Sequence, residues 1–244
     1  MRQTECFAQN AEPGKLLSEM LALVGTVPTE STGSIRLKTG DKLAFMGDSI
    51  TANAGYLGLV AHVLKTQYAS LIIPPFINAG MGGQKAENMV LRFEKDMKLA
   101  EKPAWVFISV GINDVWHRLE QPDNPKVLEL FKVNVTKMVE LGQTSGAGVV
   151  LLTPTIIQED ALSKGNKRLI MYADAMKEIA VEKQCLVADL HALFLNALAN
   201  RKTAIRLTTD GAHMAAYGDA LMAIGVLRVM GVNDAMIAAT DTCF

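Results

Sequence analysis

Five short apolar runs, separated by segments long enough to be helices, constrain this chain more than any other feature. The runs fall at 43–46, 71–77, 104–110, 148–153 and 185–188. Helical periodicity runs through 54–67, 84–98, 125–144, 164–184, 190–200 and 215–230. Every connection between runs is long enough for a crossover helix, so the strands should lie parallel. Val149-Val150-Leu151-Leu152 is apolar throughout, as a strand covered on both faces must be. The pattern predicts a three-layer α/β/α sandwich on a five-stranded parallel sheet.

In such a sheet the functional residues collect just after the strands, on one rim. Four polar turns meet that test. Gly47-Asp48-Ser49 ends the first run and exposes a hydroxyl before a helix. Asn78-Ala79-Gly80-Met81-Gly82-Gly83 follows the second, with glycines that let backbone N–H groups approach a ligand. Gly111-Ile112-Asn113-Asp114 follows the third, and Thr209-Asp210-Gly211-Ala212-His213 precedes the final helix. A serine hydroxyl is a poor nucleophile until an imidazole removes its proton, and the imidazole needs an acceptor to fix its tautomer. Ser49, His213 and Asp210 can fill those places. The N–H groups of Ser49 and Gly83 and the Asn113 amide can bind an oxyanion.

These four blocks, in this order across residues 41–230, resemble the SGNH, or GDSL, family of serine esterases and lipases. The resemblance implies the SGNH hydrolase fold, with a flavodoxin-like five-stranded parallel sheet. It implies Ser49 as nucleophile, His213 as base and Asp210 as its orienting acid, with an oxyanion hole from Ser49, Gly83 and Asn113. It also implies ester substrates such as acetylated sugars, short acyl esters, lysophospholipids or thioesters. Family members commonly place proline after the histidine. Here Met214 stands there, which leaves the donors and acceptors in place. Asp48, Asp114, Trp116 and His117 are candidate substrate-lining residues, with Leu119 and the Pro122/Pro125 pair as further walls. Aromatic residues at only 6% and the lack of a long apolar lid favour a short acyl group. Transfer of the acyl group to a sugar hydroxyl instead of water uses the same triad. A non-catalytic ligand-binding module would need neither triad nor oxyanion donors.

The prefix at 1–40 reads as a helix over 13–24, a linker at 28–33 and a short strand at Ile35-Arg36-Leu37, packing on a catalytic domain at 41–232. Residues 233–244 read as a C-terminal tail. Gly231-Val232-Asn233-Asp234 repeats the third motif but follows a helix, so it reads as a helix-ending turn. Asp189 and His191 lack a third ligand, and Asp189 reads as a helix cap. No phosphate-binding loop of the Gly-rich Lys-Ser/Thr type is present. No cofactor or metal is expected. With 24 Lys+Arg against 25 Asp+Glu, the net charge of -1 argues against nucleic acid or an anionic membrane as partner. Leu16 to Val24 is too short to span a bilayer and lacks a basic leader. The three cysteines, an odd number far apart, do not suggest a disulfide framework. The expectation is a soluble, cytoplasmic enzyme acting on a small-molecule ester, with secretion after processing and the oligomeric state left open.

Overall fold

A computed structural model describes residues 15–25, 35–202 and 204–240. Five strands form one parallel sheet: β1 (Leu43–Gly47), β2 (Ile77–Gly80), β3 (Trp105–Ser109), β4 (Gly148–Leu152) and β5 (Leu186–Ala188), in the order β2-β1-β3-β4-β5. Ten helices accompany them among the described residues. One is α1 (Leu16–Val24), before the sheet. Then α2 (Ser49–Asn53) and α3 (Gly55–Gln67) follow β1, and α4 (Ala86–Leu99) follows β2. After β3 come α5 (Ile112–Trp116) and α6 (Pro125–Thr144), and after β4 comes α7 (Lys164–Glu182). The chain continues through α8 (Leu190–Asn200), α9 (Ala216–Val229) and α10 (Asp234–Thr240). The helices α4, α6 and α7 pack side by side, as do α3, α9 and α8.

The sheet is buried where the apolar runs demanded it. All five residues of β1 are buried, and Val106, Phe107, Ile108, Val150, Leu151 and Leu152 are fully so. Phe45 and Phe107 are register partners on β1 and β3, and their rings stack 4.5 Å apart. Neither strand can slip by one residue without turning its buried set over.

One strand is displaced from its expected place. The apolar run at 71–77 is not β2; pairing begins only at Ile77 and runs to Gly80. Pro74 and Pro75 have no N–H to give a ladder, so the strand starts after them. β2 is an edge strand, and Ile72 in the discarded run is 73% exposed. The short strand expected at Ile35-Arg36-Leu37 is also absent. Ile35 is buried instead, its N–H donating to the Val229 carbonyl at the end of α9.

Helix α1 packs on α8, α9 and α10, burying Leu17 and Met20 completely. Its last carbonyls are taken by side chains: Asn196 donates to Val24 and Asn200 to Leu23. Pro13, the 28–33 linker and residues 241–244 lie outside the described residues. Residues 234–240 form α10 and pack on α3 and α1. Gly231 ends α9 with φ +83°, the left-handed turn that its decoy motif suggested. Among the described residues no helix is long and apolar enough to cross a membrane.

Candidate active site

In the order β2-β1-β3-β4-β5 the chain reverses direction across the sheet between β1 and β3, and ligands of open α/β sheets bind at that crevice. Ser49 follows β1 and Asn113 follows β3. Ser49 is the first residue of α2, so its N–H has no carbonyl within the helix to bond. Asp48 caps that helix, its Oδ1 accepting from Ile50 N–H at 2.9 Å. Burial pushes the Asp48 carboxyl up to about 6, against the Ile50 hydrogen bond and the nearby His213.

α2 lies directly across the end of the sheet because Gly80 has no side chain. A Cβ there would stand 2.2 Å from the Ala52 backbone nitrogen. Asn78 reinforces this seat, its Nδ2 donating to the Thr51 carbonyl at 2.8 Å. The turn after β2 then returns toward the serine: a Cβ on Gly82 would sit 3.9 Å from Ser49 Cβ. Gly83 adopts φ +71°, strained for an L side chain. Sequence periodicity started the next helix at 84, but α4 starts at Ala86, so Gly83 belongs to the turn. No carbonyl among the described residues takes its N–H.

The last turn brings Asp210 and His213 to the same place as Ser49. Asp210 Oδ1 accepts the N–H groups of Ala212 (3.0 Å) and His213 (2.8 Å). Its Oδ2 lies 2.7 Å from His213 Nδ1, and His213 Nε2 lies 2.9 Å from Ser49 Oγ. Burial alone would raise the Asp210 pKa, but hydrogen bonds from the His213 side chain, His213 N–H and Ala212 N–H hold it down to about 2. An ionised carboxylate only accepts, so Nδ1 carries the imidazole proton and Nε2 is free to accept from the Ser49 hydroxyl. Thr208 and Met214 form an antiparallel bridge, so the loop closes on the methionine that follows His213.

Sequence reasoning missed the anchor of this loop. The Glu159 carboxylate accepts from Leu207 N–H, Thr208 N–H and Thr208 Oγ1 at 2.7–2.9 Å, and pairs with Arg201. Burial would raise its pKa; Arg201 and Thr208 lower it below the usual carboxylate range. No motif marks Glu159, because its partners, two of them backbone N–H groups, lie 42 to 49 positions away.

A cavity of about 250 Å³ is lined by Ser49, Gly83, Asn113 and His213, with Ile50, Ile112, Trp116, His117, Asp210 and Ala212 completing its walls. Asn113 Nδ2 gives one proton to the Gln84 carbonyl at 3.2 Å, which leaves the second for a ligand. Two candidate lining residues do not reach the cavity. Asp48 is spent on the α2 N-terminus, and Asp114 accepts from Ala86 N–H at the start of α4. Leu119 instead packs against the core, and Pro125 opens α6. Asp189 caps α8 through Ala192 N–H, and His191 Nδ1 bonds the Thr155 carbonyl. Among the described residues no group of three metal-binding side chains occurs. The side chains of His213 and Asp210 remain 41% and 54% exposed, so the cavity opens to solvent on their side.

Known proteins resemble this chain over most of its length. An acetylxylan esterase of Geobacillus stearothermophilus is 28% identical over 81% of this chain and 97% of its own. The crystal structure of an acetylxylan esterase from that organism superposes with a TM-score of 0.73, covering 82% of this chain and 98% of that one. A metagenomic α/β hydrolase from Lake Arreo, 24% identical, shares the fold with a TM-score of 0.70 over 80% of this chain and 97% of its own. These relatives and this fold define a hydrolase of carboxylic esters. The chain belongs to the GDSL-like lipase/acylhydrolase family, whose sequence model matches residues 45–221.

Proposed function

We propose that this enzyme removes short acyl groups, acetyl foremost, from hydroxyls of a carbohydrate, through an acyl-serine intermediate. The continuous chain from Ser49 Oγ through His213 to Asp210 carries the reading. Ser49 Oγ attacks the ester carbonyl while His213 Nε2 takes its proton. The carbonyl oxygen becomes an oxyanion, received by Ser49 N–H, Gly83 N–H and the unused Asn113 amide proton. Collapse of this intermediate breaks the bond to the alcohol oxygen, which leaves with the proton from His213. Water then attacks the acyl-serine, giving its proton to His213, and the second collapse returns the proton to Ser49 and frees the acid. Asp210 holds the imidazole and offsets its charge when protonated.

The small cavity supports a short acyl group, and its solvent-open side leaves room for a bulky alcohol. The acetylxylan esterase relative supports the acetyl-carbohydrate class. Further support comes from structures of that esterase's catalytic mutants, in which a serine, an aspartate or a histidine is replaced by alanine. The test is a panel of p-nitrophenyl esters of rising chain length and acetylated xylo-oligosaccharides, with Ser49→Ala as blank. Hydrolysis should be fastest for acetyl, and either Ser49→Ala or His213→Ala should lower kcat by about 10⁴ or more. Undiminished turnover in either variant overturns the assignment. A preference for long acyl chains overturns the substrate class.

A further inference from the structure

Three turns supply the oxyanion donors, and a single guanidinium touches the backbone or side chain flanking each of the two that begin on β1 and β2. Arg92, on the second turn of α4, directs Nη2 to the Gly47 carbonyl at 3.0 Å and Nη1 to the Ala79 carbonyl at 2.9 Å. Its Nε donates to Gln84 Oε1 at 3.2 Å, and Asp96, one helical turn on, pairs with Nη1. Gly47 ends β1 and Ala79 is the penultimate residue of β2 on the same rim, two residues before Ser49 and four before Gly83. Gln84 adjoins Gly83, and its backbone carbonyl accepts from Asn113 Nδ2. The third turn is therefore reached through Gln84. The Arg92 side chain is only 14% exposed, so these bonds form largely out of water.

From this juxtaposition we infer that Arg92 is a positioning residue of the oxyanion site, a role that rests on the serine-esterase reading of that site. The Gly47 carbonyl, already bonded by Met81 N–H at 3.0 Å, takes Arg92 Nη2 on its second lone pair, so the guanidinium adds a fixed link between the ends of β1 and β2. The planar fork of arginine presents N–H groups at fixed angles to several acceptors at once, which the single ammonium of lysine does not. By holding Gly47, Ala79 and Gln84 on one rigid group, Arg92 sets the spacing of Ser49 N–H, Gly83 N–H and the Asn113 amide. It touches no substrate atom. Its effect is felt where the donors must meet an oxyanion, and a misplacement of about 1 Å there can cost about 10²-fold in rate.

The measurement is steady-state hydrolysis of p-nitrophenyl acetate by the parent enzyme, Arg92→Ala, Arg92→Lys and Ser49→Ala. It runs beside inhibition by phenylboronic acid, whose tetrahedral serine adduct places an oxygen in the oxyanion hole. Thermal melts confirm that each variant is folded at the assay temperature. Arg92→Ala should lower kcat by about 10- to 100-fold and raise the phenylboronic acid Ki in parallel, with KM within about threefold. Arg92→Lys should lose at least fivefold in kcat. A folded Arg92→Ala with kcat and Ki less than fivefold from the parent overturns the inference, whatever its melting point. If Arg92→Ala does not fold, Arg92→Lys decides by the same fivefold criterion. Ser49→Ala separates the two readings. If it stays active, the serine mechanism itself falls; if it is dead while Arg92→Ala is unimpaired, only this inference falls.

Discussion

Asn113 is the side-chain donor of the proposed oxyanion site. The residue is 8% exposed, lines the cavity, and commits one amide proton to the Gln84 carbonyl, which leaves the other without a partner among the described residues. Asn113→Ala should lower kcat on p-nitrophenyl acetate by about 10²–10³-fold with KM little changed; a loss confined to KM would assign Asn113 to ground-state binding instead. His117 lies on the same wall, with its Cε1 4.0 Å from where a Gly83 Cβ would stand. Its ring is not joined to the Ser49–His213–Asp210 chain, so His117→Ala should cost far less kcat than His213→Ala in a parallel assay. The positions of Ser49, Asp210, His213, Gly83 and Asn113 were legible because each sits in a short motif whose backbone spacing is local. Asp48 and Asp114 lie in the same motifs yet face away from the cavity. A motif fixes a residue's place on the chain, whereas the direction of its carboxylate depends on which helix N-terminus lies nearby. Arg92 and Glu159 were invisible for a related reason: each also bonds backbone groups on distant segments, Gly47 for Arg92 and Leu207 and Thr208 for Glu159, and backbone leaves no signature in residue identity.

At the scale of elements, the helices were the most legible part. α6 and α8 occupy the spans their periodicity predicts, because a wide apolar stripe at period 3.6 has one way to face the sheet. β2 was misplaced because six apolar or proline residues precede it, and apolar composition alone does not distinguish a covered loop from a strand. Phe76 shows the ambiguity: it packs its ring 5.1 Å from Phe45 without belonging to the ladder. The close seat of α2 on β2 carries its own prediction. A methyl group at Gly80 meets the Ala52 nitrogen at 2.2 Å and the Thr51 carbonyl carbon at 2.7 Å, both backbone atoms that no rotamer change can move. Gly80→Ala should therefore destabilise the fold by at least about 1–3 kcal/mol, read as a lower urea midpoint. Because α2 starts at Ser49, the fraction that stays folded should also turn over more slowly. Stability and kcat both equal to the parent would contradict the packing described here.

Across the whole molecule, buried carboxylates tie helices together and make stability depend on pH. Asp219 in the first turn of α9 accepts the Tyr56 N–H at the start of α3, in the space left by Gly55. Burial pushes its carboxyl up to about 7 against that hydrogen bond, and burial likewise raises Asp114 to about 7. An acid whose pKa rises on folding binds its proton more tightly in the native state. Its contribution is fully present below the unfolded value near 3.8 and is lost as pH climbs through about 7. For Asp219 the loss is on the order of 2–4 kcal/mol. Asp210 works in the opposite sense, but its window lies between about 2 and 3.8, well below. His191 also opposes the trend, since burial lowers its pKa and the unfolded chain gains the proton first on acidification. A difference between two proteins removes both of these contributions. Asp219→Asn keeps an acceptor for Tyr56 N–H and cannot ionise, so it escapes the loss that the parent suffers between pH 5 and pH 8. Urea unfolding of both proteins across that range should show the variant gaining on the parent as pH rises from 5, with the gain levelling off above about 7. Parallel curves would mean that Asp219 is already ionised in the folded enzyme at pH 5, and that the junction of α3 and α9 is held by a solvated carboxylate.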